Sequence, residues 1–235
     1  ADPWVTRWRG SYYYCLAEPH IRIARAARLQ DIAIEPAVTV WTPPPTGTYS
    51  KNIWAPELHY LKGKWYVYFA ADDGSMTNHH MYVLESITDD PHGAYTFKGK
   101  ITDASDGNAI DGTVMEHEGK LYFIDACNGA LYIAPMSNAW SISGSRTCIA
   151  RATYPWELHQ CPVNEGPEVL KRGDKTFIIY SASGSAGDDY CLGRLTLTGA
   201  NVLVAGSWAK HPTPVFSKNP LVFGPGHASF TTSPD

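Results

Sequence analysis

A tight turn recurs at nearly constant spacing along this chain of 235 residues. Residues 3–14, 58–69, 113–124 and 169–180 share one plan: an alternating apolar strand, a turn centred on glycine beside Lys or Arg, then a strongly aromatic strand. The turn glycines, Gly10, Gly63, Gly119 and Gly173, lie 53, 56 and 54 residues apart. A repeat of ~40–50 residues or somewhat more, with about four strands per unit, is the signature of propeller blades. The spacing therefore predicts an all-β chain, a five-bladed β-propeller whose last blade is incomplete. Its fifth repeat is expected to open at Gly226-His-Ala-Ser-Phe-Thr-Thr-Ser-Pro-Asp235. Residues 1–235 are read as a single domain cut at both ends. A β-sandwich also suits frequent turn signals, but it leaves a spacing of 54 residues unexplained.

Composition agrees with many short strands. Twenty Gly and 17 Pro interrupt the sequence too often for long helices, and eight Trp, 14 Tyr and seven Phe favour β structure. Ile21 to Leu29, the nearest approach to a helical pattern, alternates with period two and reads as a strand and a polar turn. With 19 basic and 23 acidic residues dispersed along it, the chain has no basic block to neutralise phosphates, so no nucleic-acid partner is expected. No apolar run reaches the roughly 18 residues of a membrane span, and residues 1–4 do not open a signal peptide. Cys15, Cys127, Cys148, Cys161 and Cys191 follow no metal spacing; being odd in number, they leave at least one thiol unpaired, and buried free thiols are expected.

Counting eight residues back from the four glycines gives Asp2, Ala55, Asp111 and Glu165. Equivalent ends of inner propeller strands point at one mouth of a central channel, so three carboxylates are expected to converge there. Like charges close together raise each other's proton affinity, and folding alone gives no reason for the arrangement. A glycosidase gives one: a base for water, an acid for the leaving oxygen, and a third group to set proton affinity and orientation.

At these residues the sequence resembles glycoside hydrolase family 43. Asp2-Pro-Trp4, Ala109-Ile-Asp-Gly112 and Asn164-Glu-Gly-Pro167 are similar to three of its blade motifs, in order. The stretch from Ser50 to His59 resembles its second-blade motif, and Gly224-Pro-Gly-His227 its fifth. The resemblance implies an inverting hydrolase with Asp2 as general base, Asp111 as modulator and orienter, and Glu165 as general acid. It further implies base and acid carboxyls about 6.5–9.5 Å apart. Glu165 is preferred to Glu168 because it has the repeat offset and precedes Gly-Pro. His227 resembles a family histidine facing the propeller axis, where a structural calcium ion is expected; no cofactor is required.

Trp54 adjoins Ala55 and is a candidate face for a sugar ring. Glu57 and His59 read as packing or turn residues. The stretch from Asp72 to Asn78, with Asp72-Asp73 and the neighbouring His79-His80, reads as a solvated loop. Residues 42–47 and 154–160 look most like exo-acting α-L-arabinofuranosidases that trim arabinan or arabinoxylan of plant cell walls, which implies a secreted enzyme. A β-xylosidase or endo-arabinanase on the same scaffold, and a non-catalytic carbohydrate-binding propeller, are the alternative readings.

Overall fold

The computed structural model describes residues 2–17 and 19–233. Strands dominate, and among the described residues helix is confined to four 3₁₀ turns of three residues. The first compact unit runs to Thr102 and includes the stretch from Ser229. It holds two antiparallel sheets of four strands: β1 Trp4–Trp8, β2 Ser11–Leu16, β3 Ile21–Ala26 and β4 Ala37–Trp41, then β5 Lys51–Leu61, β6 Lys64–Asp72, β7 His80–Ser86 and β8 Tyr95–Ile101. The second unit, Asp103–Ala228, holds a five-stranded sheet and a four-stranded one. The former contains β9 Ile110–His117, β10 Lys120–Cys127, β11 Ala130–Asn138, β12 Ser141–Ile142 and β13 Thr147–Arg151. The latter contains β14 Asn164–Arg172, β15 Lys175–Ala182, β16 Cys191–Leu197 and β17 Trp208–Lys210. In the three four-stranded sheets the strands follow chain order as a meander; in the five-stranded sheet β9 to β12 do so and β13 returns to pair with β11, and the four sheets are propeller blades.

All four expected hairpins form. Trp8 pairs with Ser11, Leu61 with Lys64 and His117 with Lys120, which leaves loops of two residues. Both loop residues have positive φ: Arg9 and Gly10 at 46° and 81°, Lys62 and Gly63 at 50° and 88°, Glu118 and Gly119 at 50° and 75°. Type I′ turns require this, and their twist matches that of the strands. In the fourth hairpin Arg172 pairs with Lys175, and Gly173, at φ 61°, takes the first loop position, the place that a type II′ turn gives to glycine.

Burial follows from these hairpins. Every residue of β6 except Lys64 is buried, so the run Trp-Tyr-Val-Tyr-Phe-Ala-Ala is a strand covered on both faces. Trp65, Val67 and Phe69 pack with Tyr13, Cys15, Ile21 and Ile23 in the core of the first unit. Trp4 and Trp65 donate their indole N–H to the carbonyls of Leu58 and Asp89, at 2.8 and 2.9 Å. Met115, Ile124, Ile133, Ile178 and Tyr180 form the core of the second unit. All five cysteines are free thiols, with Cys15 and Cys191 buried.

One expectation is met in part and another needs correction. Residues 226–233 contain no strand, so four blades are present among the described residues, and Pro234 and Asp235 of the expected fifth repeat lie outside them. The Ser229 hydroxyl accepts the N–H of Val5 at 2.9 Å and Tyr12 donates its hydroxyl to the Thr232 carbonyl at 3.2 Å, so side chains make bonds that a ladder would make. Nor is the segment after β6 simply solvated: Asp72 is 0% exposed and His79 2%. Asp72 Oδ2 lies 3.2 Å from His79 Nδ1 and Oδ1 accepts the Gly74 N–H at 2.7 Å, and such partners are what allow polar residues to be buried.

Candidate active site

In β5 the ladder with β6 breaks on both sides of Trp54, between Lys51 and Trp54 and between Trp54 and Glu57. Asn52 and Ala55, at φ 47° and 42°, supply the left-handed backbone at the two breaks. Such bulges re-aim a side chain. Trp54 lines a pocket of about 330 Å³ together with Asp2, Tyr14, Ala17 and Pro56. Burial, and then the charge of Asp2, push the Tyr14 phenol upward. The His79 ring stacks on Trp54, 4.0 Å away at 29°.

Glu57 and His59 are packing residues, as expected. Glu57 is 5% exposed, and its carboxylate lies 2.8 Å from His59 Nε2. The His59 ring also packs on Trp4 at 4.4 Å. Burial pushes His59 down to about 3 and keeps the imidazole neutral.

In the second unit β9 bulges at Asp111, which is 6% exposed and has φ 54°. The register between β9 and β10 shifts across this position, opposite Asp125. In β14 the shift falls between Glu165 and Glu168, and the left-handed residue is Gly166 at φ 53°. Counted from the first loop residue of each turn, Ala55, Asp111 and Gly166 all lie seven positions upstream. Glu165 thus precedes the structural equivalent of Asp111 by one residue. Its offset from the glycine matches only because the fourth turn places glycine first.

The two bulges meet through a buried bond: Gly166 donates its N–H to Asp111 Oδ2 at 2.9 Å. Around this bond, Ser181 stands opposite Glu165 in the ladder and accepts the backbone N–H of His227 at 2.7 Å. A Cβ at Gly166 would come within 3.1 Å of Ser181 Oγ and 3.2 Å of His227 Nδ1, so glycine is what fits there. Tyr190, 6% exposed, hydrogen-bonds through its hydroxyl to the side chains of Glu165 and Ser181. Burial, followed by the charge of Glu165, pushes its phenol upward. Gly226 lies against the Tyr190 ring, which a Cβ there would overlap. The motif Gly224-Pro-Gly-His227 is therefore shaped around Tyr190, a residue that no motif or spacing picked out.

The loop before β14 is fixed by Glu157, which is fully buried. It accepts from the N–H of Thr153 and Tyr154, from Asn164 Nδ2, from the Tyr180 hydroxyl and from Lys210 Nζ, at 2.7 to 3.1 Å. Burial opposes its charge, but Lys210 and the two backbone N–H groups outweigh it and hold the carboxyl below its usual range. Asn164, the residue before Glu165, is thereby locked. Glu168 is buried without such help, and burial raises its carboxyl well above the usual range. Among the described residues no group of three or more His, Cys, Asp or Glu side chains is placed to hold a metal ion.

Comparison with known proteins gives a consistent result. The profile of glycosyl hydrolases family 43 matches residues 1–235. The chain is 40% identical over 251 residues to an extracellular exo-α-(1→5)-L-arabinofuranosidase of Streptomyces avermitilis, covering 100% of this chain and 52% of that protein. It is 36% identical to a protein of the same name from Streptomyces chartreusis, of which it covers 76%. The chain thus spans about half the length of the Streptomyces avermitilis relative. A crystal structure of an α-L-arabinofuranosidase from Lactobacillus brevis superimposes with a TM-score of 0.93 at 37% identity, covering 100% of this chain and 79% of that one.

Proposed function

The chain belongs to glycosyl hydrolases family 43, and from that premise we propose that it is an inverting glycosidase releasing terminal α-L-arabinofuranosyl units from arabinan or arabinose-substituted polysaccharide. The observation that carries the reading is the bond from Gly166 N–H to Asp111, which fixes one expected carboxylate against the backbone beside another. In this proposal Asp2 takes a proton from water as its oxygen attacks the anomeric carbon. Glu165 gives its proton to the glycosidic oxygen as that bond breaks, and the new C–O bond forms on the opposite face of the ring. Asp111 holds the backbone of the acid in place, and Trp54 offers its open face to the sugar. His227 belongs to the surroundings of the acid; the calcium expected beside it enters no step. The names of the two Streptomyces relatives support arabinan as substrate and a site of action outside the cell. We also take the four blades as belonging to a five-bladed catalytic domain, the design expected from the repeat.

Proton NMR during hydrolysis of an aryl α-L-arabinofuranoside tests the mechanism, with the β-anomer expected first; initial α-anomer would overturn inversion. Glu165→Gln is expected to lose on the order of 10²–10⁴ in kcat on arabinan, but much less on 4-nitrophenyl arabinofuranoside, whose phenolate needs little protonation. Asp2→Asn should lose both activities. Equal losses in Glu165→Gln would remove it from the role of acid, and faster hydrolysis of aryl β-D-xyloside would move the substrate to the rival sugar.

A further inference from the structure

The ladder does not fix Trp54, because β5 is broken on both sides of it. What lies against it is His79, ring to ring at 4.0 Å. Both nitrogens of that buried ring face acceptors. Nε2 lies 3.1 Å from the Asn52 carbonyl, and Nδ1 lies 3.3 Å from the Met76 carbonyl and 3.2 Å from Asp72 Oδ2. Only the doubly protonated imidazole donates from both positions. Asp72 is held in turn: Asn52 Nδ2 donates to both its oxygens at 3.0 and 2.9 Å, and Gly74 N–H donates to Oδ1 at 2.7 Å. Its carbonyl accepts the N–H of Ser50 at 3.0 Å. Asn52 is itself one of the two left-handed residues beside Trp54. The cluster therefore grips the bulge through its backbone and the indole through its ring.

Stability alone gives little reason for this arrangement, since a buried ion pair is often no better than an apolar filling of the same volume. A reason appears if the indole must keep one orientation. The imidazole stacked on the indole at 4.0 Å and 29° holds the plane of that ring. The same Trp54 lines the pocket that Asp2 also lines, and His79 does not line it. We propose that the buried Asp72–His79 pair is the positioning device of a stacking platform at Trp54, which receives the apolar face of the terminal arabinofuranosyl ring. This rests on the reading of Trp54 as a substrate-binding residue; His79 acts through Trp54 and is a positioning residue, not a catalytic one.

The test is a double-mutant cycle on 4-nitrophenyl α-L-arabinofuranoside with the full chain. Trp54→Ala and His79→Ala are each expected to raise KM about fivefold to tenfold, with kcat changed less than about twofold. The double variant should be no worse than Trp54→Ala alone, because His79 has no other route to the sugar. His79→Gln, which keeps one donor, gives a smaller rise and serves if His79→Ala does not fold. Tryptophan fluorescence supplies a readout independent of activity. Loss of the ring stacked on Trp54 should change the emission in either His79 variant, and should not do so on a Trp54→Phe background. Additive KM effects, an unchanged KM in the His79 variants beside a raised one in Trp54→Ala, or unchanged emission would overturn the proposal. An unchanged KM in Trp54→Ala would instead remove Trp54 as the platform, while the emission would still decide whether His79 holds it.

Discussion

Tyr190 sits where a single oxygen links the proposed acid to the rest of its surroundings. Its hydroxyl bonds Glu165 and Ser181, and Ser181 in turn takes the N–H of His227. Tyr190→Phe keeps the ring that Gly226 is shaped around and removes only that oxygen. A fall in kcat on arabinan of about tenfold is expected, the worth of one charge-assisted hydrogen bond. Because the lost donor favoured the charged carboxylate, the alkaline limb of the pH profile set by the acid should move to higher pH. An unchanged kcat and an unmoved limb would leave Tyr190 a packing role only. Asp2, Asp111 and Glu165 could be picked out from sequence because acids at a repeated offset stand out against turn chemistry. Tyr190 could not: its partners come from β14, β15 and the segment after β17, and nothing local marks it among 14 tyrosines. Asp72 and His79 were hidden differently, since polar residues in a polar stretch read as loop and only the partners around them make burial tolerable.

At the level of strands and turns, glycines with different duties should respond differently to a methyl group. Gly63 has φ 88° and open space around its missing Cβ, so Gly63→Ala meets backbone strain alone. It should cost about 1 kcal/mol in denaturant unfolding and leave kcat/KM unchanged. Gly226→Ala instead drives a Cβ into the Tyr190 ring. It should lower kcat on arabinan by more than about tenfold, the effect predicted for losing the Tyr190 oxygen. Comparable activity in the two variants would contradict the account of the Gly224-Pro-Gly-His227 segment. The hairpins were legible because a glycine between an alternating strand and an aromatic one has few other uses. The difference between I′ and II′ turns was not legible, because it depends on whether the residue before glycine also turns left-handed. That difference hid the true alignment of Glu165 with its neighbours in the repeat.

The stability of the whole molecule should carry two opposed responses to acid. His59 has its folded pKa lowered to about 3, so its contribution is present above about 6.5 and is lost as pH falls toward 3. Asp125, 1% exposed, has its carboxyl raised to about 6, burial outweighing Arg146. Its contribution is present below its unperturbed value and is lost as pH rises through about 6. Between about pH 4 and 6 the two slopes oppose each other, each on the order of 1.4 kcal/mol per pH unit at most. Asp125→Asn should therefore make unfolding free energy rise more steeply with pH in that window, and His59→Gln less steeply. Denaturant titrations at three pH values check both signs, and parallel curves for wild type and variants would refute them. The four-blade plan was readable because it rests on repetition; the missing fifth strand was not, because residues 226–233 bond through side chains where a ladder was expected. The kinks at Ala55 and Asp111 share one backbone conformation, yet only one of them bears a carboxylate. One left-handed bend therefore does two jobs: in β9 it sets a carboxylate, and in β5 it frees Trp54 from the ladder.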